Sequence, residues 1–194
     1  MAIAGLYKCF DHWHKQGTVW IYSDTHFDDE ELAAGVRNRP SAEEQVKLIN
    51  SKVGRKDTLI LLGDVGNVEW AKKLRGYKIL IAGNHDTGLS NYEDIFDEVY
   101  GGPLMIGEKL ILSHEPVSVP WAVNLHGHCH QGSFNPDIYH YNFCSDVINY
   151  TPINFNQWMK QGHLSKIESL HRTTINKATK KKKSFKFNTH GQKR

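Results

Sequence analysis

Short apolar runs that end in clusters of metal-ligand side chains constrain this 194-residue chain more than any other feature. Each run has the length and composition of a strand, and Asp, Asn or His follows directly after it. Because the carboxyl ends of strands in an open α/β sheet meet at one edge, these polar side chains are predicted to lie together. The runs span residues 18–22, 58–62, 77–82, 109–112 and 121–125.

The densest cluster follows the last of these runs, where His126, His128 and His130 alternate with Gly127 and Cys129. The earlier runs add carboxylate, amide and imidazole groups, so that too many donors are present for one tetrahedral ion. They suffice for two ions if one carboxylate bridges. Without a cluster of thiolates, the set suits Mn²⁺, Fe, Zn²⁺ or Ni²⁺. Two such ions roughly 3.5–4 Å apart can clamp a phosphate and generate hydroxide at neutral pH.

The order of the motifs along the chain carries a resemblance to a known family. The motifs are Asp24-Thr25-His26, Gly63-Asp64, Gly83-Asn84-His85-Asp86, His114 and Gly127-His128-Cys129-His130. In this order they resemble the calcineurin-like metallophosphoesterase superfamily. The flanking Asn38-Arg39-Pro40 and Asp146 are similar to the small single-domain phosphoesterases of bacteria and their phages. The resemblance implies an α/β fold with a two-sheet β-sandwich flanked by helices, and a dimetal site at the sheet edge.

The resemblance also implies a role for each metal ligand. Asp64 is expected to bridge the two ions, and it follows an all-apolar run that suits a central strand. Two divalent ions are implied, manganese first, with iron, zinc or nickel as alternatives. The ligands of the first ion would be Asp24, His26 and His130, and those of the second would be Asn84, His114 and His128.

The remaining roles concern the substrate. A metal-bound hydroxide would attack the phosphorus, and His85 would protonate the leaving group while Asp86 orients its ring. Arg37 and Arg39 are candidates for contact with phosphate oxygens, and Asn84 is a further substrate-binding candidate. His126 is counted with the substrate-binding residues, although its position equally fits a residue that holds a ligand or fills the strand end.

One departure from the superfamily pattern bears on the substrate. Many phosphoprotein phosphatases extend the second motif to GDxxDR, whereas residues 63–68 here read GDVGNV and lack the arginine. This disfavours a phosphoserine or phosphothreonine phosphatase and a diadenosine-tetraphosphate hydrolase. The sequence therefore predicts a metal-dependent phosphohydrolase, more specifically a phosphodiesterase that acts on a small nucleotide or cyclic nucleotide. The alternatives are a nuclease or phosphomonoesterase acting on nucleic-acid ends, and a non-catalytic metal-binding scaffold.

Charge divides the chain into two regions. Nine of the 24 Lys and Arg residues follow Glu168, which is the last acidic residue, so residues 1–168 carry a net negative charge. These residues have the length and hydrophobic content for one phosphoesterase domain. The basic tail, residues 169–194, is predicted to be disordered through self-repulsion. It is also a candidate for contact with nucleic acid through phosphates.

Local patterns predict the flanking elements. Ser41-Ala42-Glu43-Glu44 reads as a capping box that opens a helix. Shorter helices are predicted within residues 68–74 and 91–99, a strand over 138–144, and a last helix after residues 151–157.

The cysteines and apolar stretches bear on the compartment. Three scattered cysteines without a CxxC motif favour a reducing compartment. The chain shows neither a signal peptide nor the roughly 18 apolar residues of a membrane span. A cytoplasmic location is therefore predicted, or the host cytoplasm if a phage encodes the protein, with no membrane partner. The sequence carries no pattern that indicates an oligomeric state.

Overall fold

Nine strands and five α-helices are present in the computed structural model, which describes residues 5–186. The strands are β1 (Val19–Tyr22), β2 (Thr58–Leu61), β3 (Tyr77–Ile81), β4 (Glu98–Tyr100), β5 (Leu104–Gly107), β6 (Leu110–Leu112), β7 (Val123–His126), β8 (His140–Asn142) and β9 (Ile153–Asn154). The helices are α1 (Glu30–Gly35), α2 (Ala42–Lys52), α3 (Val68–Ala71), α4 (Phe155–Lys160) and α5 (Leu170–Lys186). Short 3-10 helices span Lys8–His14, Leu89–Asn91 and His163–Lys166.

The strands form two sheets. The first has the order β4-β3-β2-β1-β9, in which β1 to β4 are parallel and β9 is antiparallel to β1. The second has the order β5-β6-β7-β8, with β6, β7 and β8 parallel. In the first sheet Tyr22 pairs with Leu61, which is in register with Leu80. The carboxyl ends of these strands therefore lie side by side.

The main core lies between the two sheets. Ile60 and Leu62 from the first sheet and Leu112 and Leu125 from the second belong to one cluster of fully buried side chains. A second cluster covers the other face of the first sheet, where Leu59 and other strand residues pack against apolar side chains of α2 and α3. Strand β2 is buried along its whole length, as expected of a central strand. The structure confirms the prediction of a β-sandwich flanked by helices.

Helix α2 begins at the predicted capping box. The Ser41 hydroxyl accepts a hydrogen bond from the Glu44 N–H at 3.3 Å, and the Glu44 carboxylate accepts one from the Ser41 N–H at 2.9 Å. An N-cap of this kind stabilises a helix by about 0.5–2 kcal/mol. The cap fixes the start of α2 within the crossover from β1 to β2, directly after the loop that contains Arg39.

Two predicted elements differ from the structure. The helix predicted over residues 91–99 is wrong, because only Leu89–Asn91 is helical and Val99 pairs with Leu80 in the ladder between β3 and β4. Here pairing at the sheet edge overrides a helical apolar pattern. In the tail, residues 170–186 form α5 rather than a disordered segment. Ser169 accepts a hydrogen bond from the Arg172 N–H near the start of this helix, and lysine is a good helix former.

The predictions about residues 187–194 lie outside the described residues, and the boundary at residue 168 stays a prediction. None of the helices within residues 5–186 has the length and apolar character needed to cross a bilayer. The cytoplasmic location also stays a prediction.

Candidate metal centre

The predicted ligands converge at the carboxyl ends of the strands. Asp24 and His26 follow β1, Asp64 follows β2, and Asn84 follows β3. His114 follows β6 in the second sheet, and His128 and His130 follow β7. Two groups have ligand atoms within 4.8 Å of one another, and they consist of Asp24, His26 and Asp64, and of Asp64, His114 and His128.

Asp64 is the member shared by the two groups. Its Oδ2 lies 3.4 Å from His26 Nε2 and 3.2 Å from His114 Nε2. The Asp64 side chain is 3% exposed, which keeps it out of bulk water. A single carboxylate between two sets of imidazole nitrogens is the arrangement that a bridging ligand requires.

The other ligands sort to either side of Asp64. On one side Asp24 Oδ1 lies 3.6 Å from His130 Nε2 and 3.9 Å from His26 Nε2. On the other side Asn84 Oδ1 lies 2.9 Å from His114 Nε2 and 3.1 Å from His128 Nδ1. We call these the first and second metal positions.

Hydrogen bonds on the far side of the rings fix which nitrogen faces the centre. The Nδ1 atom of His26 is 3.0 Å from Asp29 Oδ2, that of His130 is 2.5 Å from Asp146 Oδ2, and that of His114 is 2.8 Å from the Leu62 carbonyl. Each Nδ1 therefore carries the proton in the neutral ring, which leaves the Nε2 lone pair directed at the centre. His128 is the exception, since it presents Nδ1.

This arrangement fits divalent cations. The His26 Nε2 atom is buried without a hydrogen-bond partner among the described residues. In the neutral tautomer, the His114 Nε2 lone pair faces the Asn84 carbonyl oxygen at 2.9 Å, so two acceptors oppose each other. A cation between such groups removes the repulsion, and the mixture of imidazole, carboxylate and amide donors suits the metals expected from the sequence.

Backbone conformation brings the ligands close together. Four of them have positive φ angles: Asp24 at 58°, His26 at 38°, Asp64 at 53° and His128 at 65°. Such values are uncommon for residues other than glycine and concentrate at functional sites. Gly127 contributes in a different way, because a Cβ there would lie 1.9 Å from Ser23 Oγ and 2.3 Å from Asp24 Oδ2.

The electrostatics centre on Asp64. Burial raises its pKa, but the neighbouring imidazoles of His114 and His26 and a hydrogen bond from the His85 N–H outweigh burial and hold the pKa well below its ordinary value. Burial lowers the pKa of His26 and His114, but the nearby carboxylates of Asp64 and Asp24, with the Leu62 carbonyl in the case of His114, outweigh burial and raise both. Asp64 is therefore ionised at neutral pH and attracts positive charge.

An open cleft of about 390 Å³ leads to the centre. His85 is exposed in its wall, and the His85 N–H donates to Asp64 Oδ1 at 3.0 Å. The His85 ring lies 5.5 Å from that of His26, measured between centroids. Glu31 and Leu32 of α1 also line the cleft.

Asp86 lies elsewhere than predicted. Its carboxylate accepts hydrogen bonds from the backbone N–H groups of Gly83, Asp64 and Val65 at 2.8, 2.8 and 3.0 Å, and from the Tyr92 hydroxyl at 3.1 Å. None of the described hydrogen bonds joins it to the His85 ring, which it was expected to orient. Asp86 instead ties the loop after β3 to the loop after β2, because both loops present N–H groups to it.

The two arginines predicted to contact substrate differ in position. Arg37 is exposed on the loop after α1, and its side chain remains available for contact with a substrate. The Arg39 side chain is only 2% exposed and pairs with Asp146, with Nη1–Oδ distances of 2.8 and 2.7 Å. Its other terminal nitrogen donates to the carbonyls of Asp24 and Thr25. Arg39 is therefore a buried support of the ligand loops rather than a residue that faces the cleft.

His126 and Cys144 lie behind the ligands. His126 is 3% exposed, its Nδ1 is 2.8 Å from the Gly127 carbonyl, and burial lowers its pKa. It does not line the described cleft, so it lies away from the substrate position predicted for it. Cys144 forms a third ligand-type group with Asp24 and His130, but burial raises the pKa of its thiol. The Cys144 sulfur faces His130 Nδ1, the nitrogen already bonded to Asp146.

Two carboxylates hydrogen-bond to the far side of ligand histidines, and sequence reasoning missed the role of both. Asp29, three positions after His26, was not singled out, and Asp146 was noted only as a flanking resemblance. A carboxylate that follows a ligand histidine by three residues was the available signal for Asp29. Asp146 is 16 positions from His130, and no local pattern connects them.

The comparisons with known proteins agree with this geometry. A model of the calcineurin-like phosphoesterase family matches residues 17–192, and the chain belongs to this family. Membership indicates a metal-dependent phosphoester hydrolase. No curated protein matches the chain.

Three solved structures are similar to it. The crystal structure of AQ665, a protein of unknown function from Aquifex aeolicus, has 26% identity and a TM-score of 0.61, over 74% of this chain and 98% of that one. The Pseudomonas putida nuclease MPE has 20% identity and a TM-score of 0.44, over 61% and 64% of the two chains. The phosphoesterase Yfce from E. coli has 15% identity and a TM-score of 0.39, over 71% and 81%.

Proposed function

We propose that the protein is a two-metal phosphodiesterase that hydrolyses a small nucleotide or cyclic-nucleotide diester. The observation that carries the proposal is the position of Asp64 Oδ2, 3.4 Å from His26 Nε2 and 3.2 Å from His114 Nε2. Asp24, His26 and His130 would hold one ion with Asp64, and Asn84, His114 and His128 would hold the other. When bound, two such ions supply hydroxide at neutral pH and neutralise charge on the phosphoryl oxygens.

The protein side chains contribute orientation and a proton. The His85 N–H bond to Asp64 fixes the backbone beside the centre, so the exposed imidazole stands in the cleft wall. From there His85 can donate a proton to the leaving oxygen, a step that typically contributes about 10²–10⁴-fold to the rate. Arg37 is a further candidate for contact with the non-reacting part of the substrate.

The charge of the cleft supports a diester over a monoester. The described residues that line it include no lysine or arginine, while Asp29, Glu31 and Asp64 are present. Val68, at the position of the arginine in the GDxxDR pattern, packs against the hydrophobic cluster beneath the first sheet. A phosphomonoester dianion would thus rely on the ions alone for neutralisation. A phosphodiester carries one negative charge fewer and therefore needs less positive charge to neutralise it.

The test uses metal-stripped protein reloaded with Mn²⁺, Fe²⁺, Zn²⁺, Ni²⁺ or Mg²⁺. Bis(p-nitrophenyl) phosphate and p-nitrophenyl phosphate would be compared as diester and monoester, followed by cyclic and linear nucleotides. We expect metal-dependent diester turnover that Asp64→Asn abolishes and that Asp11→Asn, an exposed control in the 3-10 helix before β1, leaves unchanged. A preference for the monoester would overturn the diester assignment. Two bound ions with no turnover of any phosphoester would favour the non-catalytic scaffold instead.

A second candidate, a nuclease or nucleic-acid end phosphatase, is supported by α5. Arg172, Lys177 and Lys180 are exposed on this helix, and the sequence has no acidic residue after Glu168 to offset them. Such a helix can hold phosphates in a salt-dependent way. Removal of residues 178–194 separates the candidates. If DNA or RNA hydrolysis collapses and loses its salt dependence while small-diester turnover persists, the nucleic-acid assignment gains. If both activities survive, residues 178–194 have no role in holding nucleic acid, and if no DNA or RNA hydrolysis is detected in the full-length protein, the nucleic-acid assignment is excluded.

A further inference from the structure

We propose that Arg39 and Asp146 form a buried clamp that sets the affinity of the first metal position and leaves the second largely independent. The inference rests on the two-metal site proposed above. The two side chains are 2% and 6% exposed, and Arg39 Nη1 contacts both carboxylate oxygens of Asp146 at 2.8 and 2.7 Å. Because both groups are buried, removing either partner leaves the other charge uncompensated.

The arginine end of the clamp holds the backbone of the first motif. Arg39 Nη2 donates to the carbonyl of Asp24 at 2.8 Å and to that of Thr25 at 2.9 Å. The Ser145 hydroxyl, next to Asp146, also donates to the Asp24 carbonyl at 2.8 Å. Asp24 has a φ of 58°, a conformation that needs support from its surroundings. These three hydrogen bonds, two to Asp24 and one to Thr25, supply that support to the backbone of a ligand of the first position.

The carboxylate end holds a histidine of the same position. Asp146 Oδ2 lies 2.5 Å from His130 Nδ1, and the Tyr150 hydroxyl donates to Asp146 Oδ1. The pair fixes the ring so that His130 Nε2 faces Asp24 at 3.6 Å. Asp146 is itself held by Arg39, so the clamp reaches two of the three non-bridging ligands of the first position.

The second position has different supports. His114 is oriented by the Leu62 carbonyl at 2.8 Å, and none of the described hydrogen bonds joins Arg39 or Asp146 to Asn84, His114 or His128. Within residues 5–186, the one direct hydrogen bond between non-bridging ligands of the two positions comes from the His128 N–H, which donates to the Asp24 carboxylate and does not involve the His128 ring. Damage to the clamp should therefore affect the two ions unequally.

The experiment measures Mn²⁺ bound per chain against free Mn²⁺, with metal-stripped full-length protein. Asp146→Asn keeps the volume but removes the charge, and Arg39→Lys keeps the charge but loses the planar fork. Arg55→Lys and Asp11→Asn are the matched exposed controls. His26→Ala and Asn84→Ala identify which binding class belongs to which position. Circular dichroism of the metal-free proteins checks that each variant is folded.

We expect Asp146→Asn to weaken the class that His26→Ala removes by about 10–100-fold, the usual effect of losing a partner that orients a ligand. The class that Asn84→Ala removes should keep its affinity. Arg39→Lys should weaken the same class, whereas both controls should match the wild type. Equal weakening of both classes, or unchanged binding in both folded variants, would overturn the proposal.

Tyr150→Phe keeps the proposal testable if the other variants do not fold. It removes one hydrogen-bond donor to Asp146 and leaves the ion pair with Arg39. It should therefore weaken Mn²⁺ binding at the first position alone, and by a smaller factor than Asp146→Asn does. If the Tyr150→Phe variant binds Mn²⁺ in both classes with the affinity of the wild type, the clamp proposal is contradicted. The clamp proposal and the proposed function can also be refuted independently of each other. If wild-type protein binds two ions but hydrolyses no phosphoester, the proposed function falls while the clamp is still tested by binding.

Discussion

The backbone N–H of His128 donates to both carboxylate oxygens of Asp24, at 3.1 and 3.0 Å. This contact joins the loop after β1 in the first sheet to the loop after β7 in the second. Gly127 makes it possible, since any Cβ at that position would overlap Ser23 Oγ and Asp24 Oδ2. The absence of one methyl group thus decides how closely the two sheets approach at the metal centre.

Gly127→Ala is expected to separate these loops. Overpacking at a buried site of this kind costs about 1–3 kcal/mol of unfolding free energy, and the displaced Asp24 should weaken Mn²⁺ binding at the first position. Chemical denaturation and Mn²⁺ titration measure the two effects. Gly102→Ala is the control, because a Cβ at Gly102 meets no atom within 4 Å. Equal stability of the two variants would show that the loops can move apart without cost.

The role of His85 predicts a dependence on the leaving group. For a diester whose leaving group is the alkoxide of a ribose hydroxyl, His85→Ala should lower kcat by about 10²–10⁴-fold, since proton donation to the leaving oxygen is lost. For a p-nitrophenyl diester the loss should be much smaller, because p-nitrophenolate leaves without a proton. The measurement is kcat for both substrates with wild type and variant. The same loss with each substrate would contradict a proton-donor role.

Asp86 is predicted to act on stability rather than on the His85 ring. Asp86→Asn replaces one acceptor oxygen with a donor, so at least one buried N–H or the Tyr92 hydroxyl loses its partner, at about 1–3 kcal/mol for each unsatisfied group. Asp94→Asn, at an exposed position, should have little effect. Denaturant midpoints of both variants test this. If Asp86→Asn has wild-type stability but lowers kcat for the alkoxide diester as His85→Ala does, Asp86 orients the His85 ring after all.

Glu98 is expected to make stability depend on pH far from the metal centre. Burial raises its pKa, but hydrogen bonds from Tyr100, His12 and Trp13 outweigh burial and hold the pKa below its ordinary value of 4.5. Since the folded state lowers this pKa, the carboxylate stabilises the fold above pH 4.5 and loses that contribution as the pH falls through the folded value. The difference in unfolding free energy between wild type and Glu98→Gln should therefore shrink on acidification. A difference that is constant with pH would refute this.

The local sequence was sufficient for the strand ends and the donors that follow them. Asp64, for example, follows a run that could be placed in a central strand because each residue from 59 to 62 is apolar. Helix α2 was equally accessible, because both partners of its capping box lie within four residues. These features depend on neighbours along the chain, and such patterns can be read without the fold.

What could not be predicted depends on contacts between distant segments. Arg39 looked like a phosphate contact, since nothing near it indicates that its partner is Asp146, 107 positions away. Asp86 follows His85 directly, yet its carboxylate turns to N–H groups that only the folded loops bring to it. The segment over residues 91–99 has apolar spacing compatible with a helix, and the pairing of Val99 with Leu80 decided against it.

Each metal position draws ligands from both sheets. Asp24, His26 and the shared Asp64 belong to the first sheet and His130 to the second, while the other position combines Asp64 and Asn84 with His114 and His128. Neither position is complete until the two halves of the sandwich have docked. The ions would then link the two sheets directly, so the two halves of the sandwich should separate more easily in the metal-free protein than in the metal-loaded one.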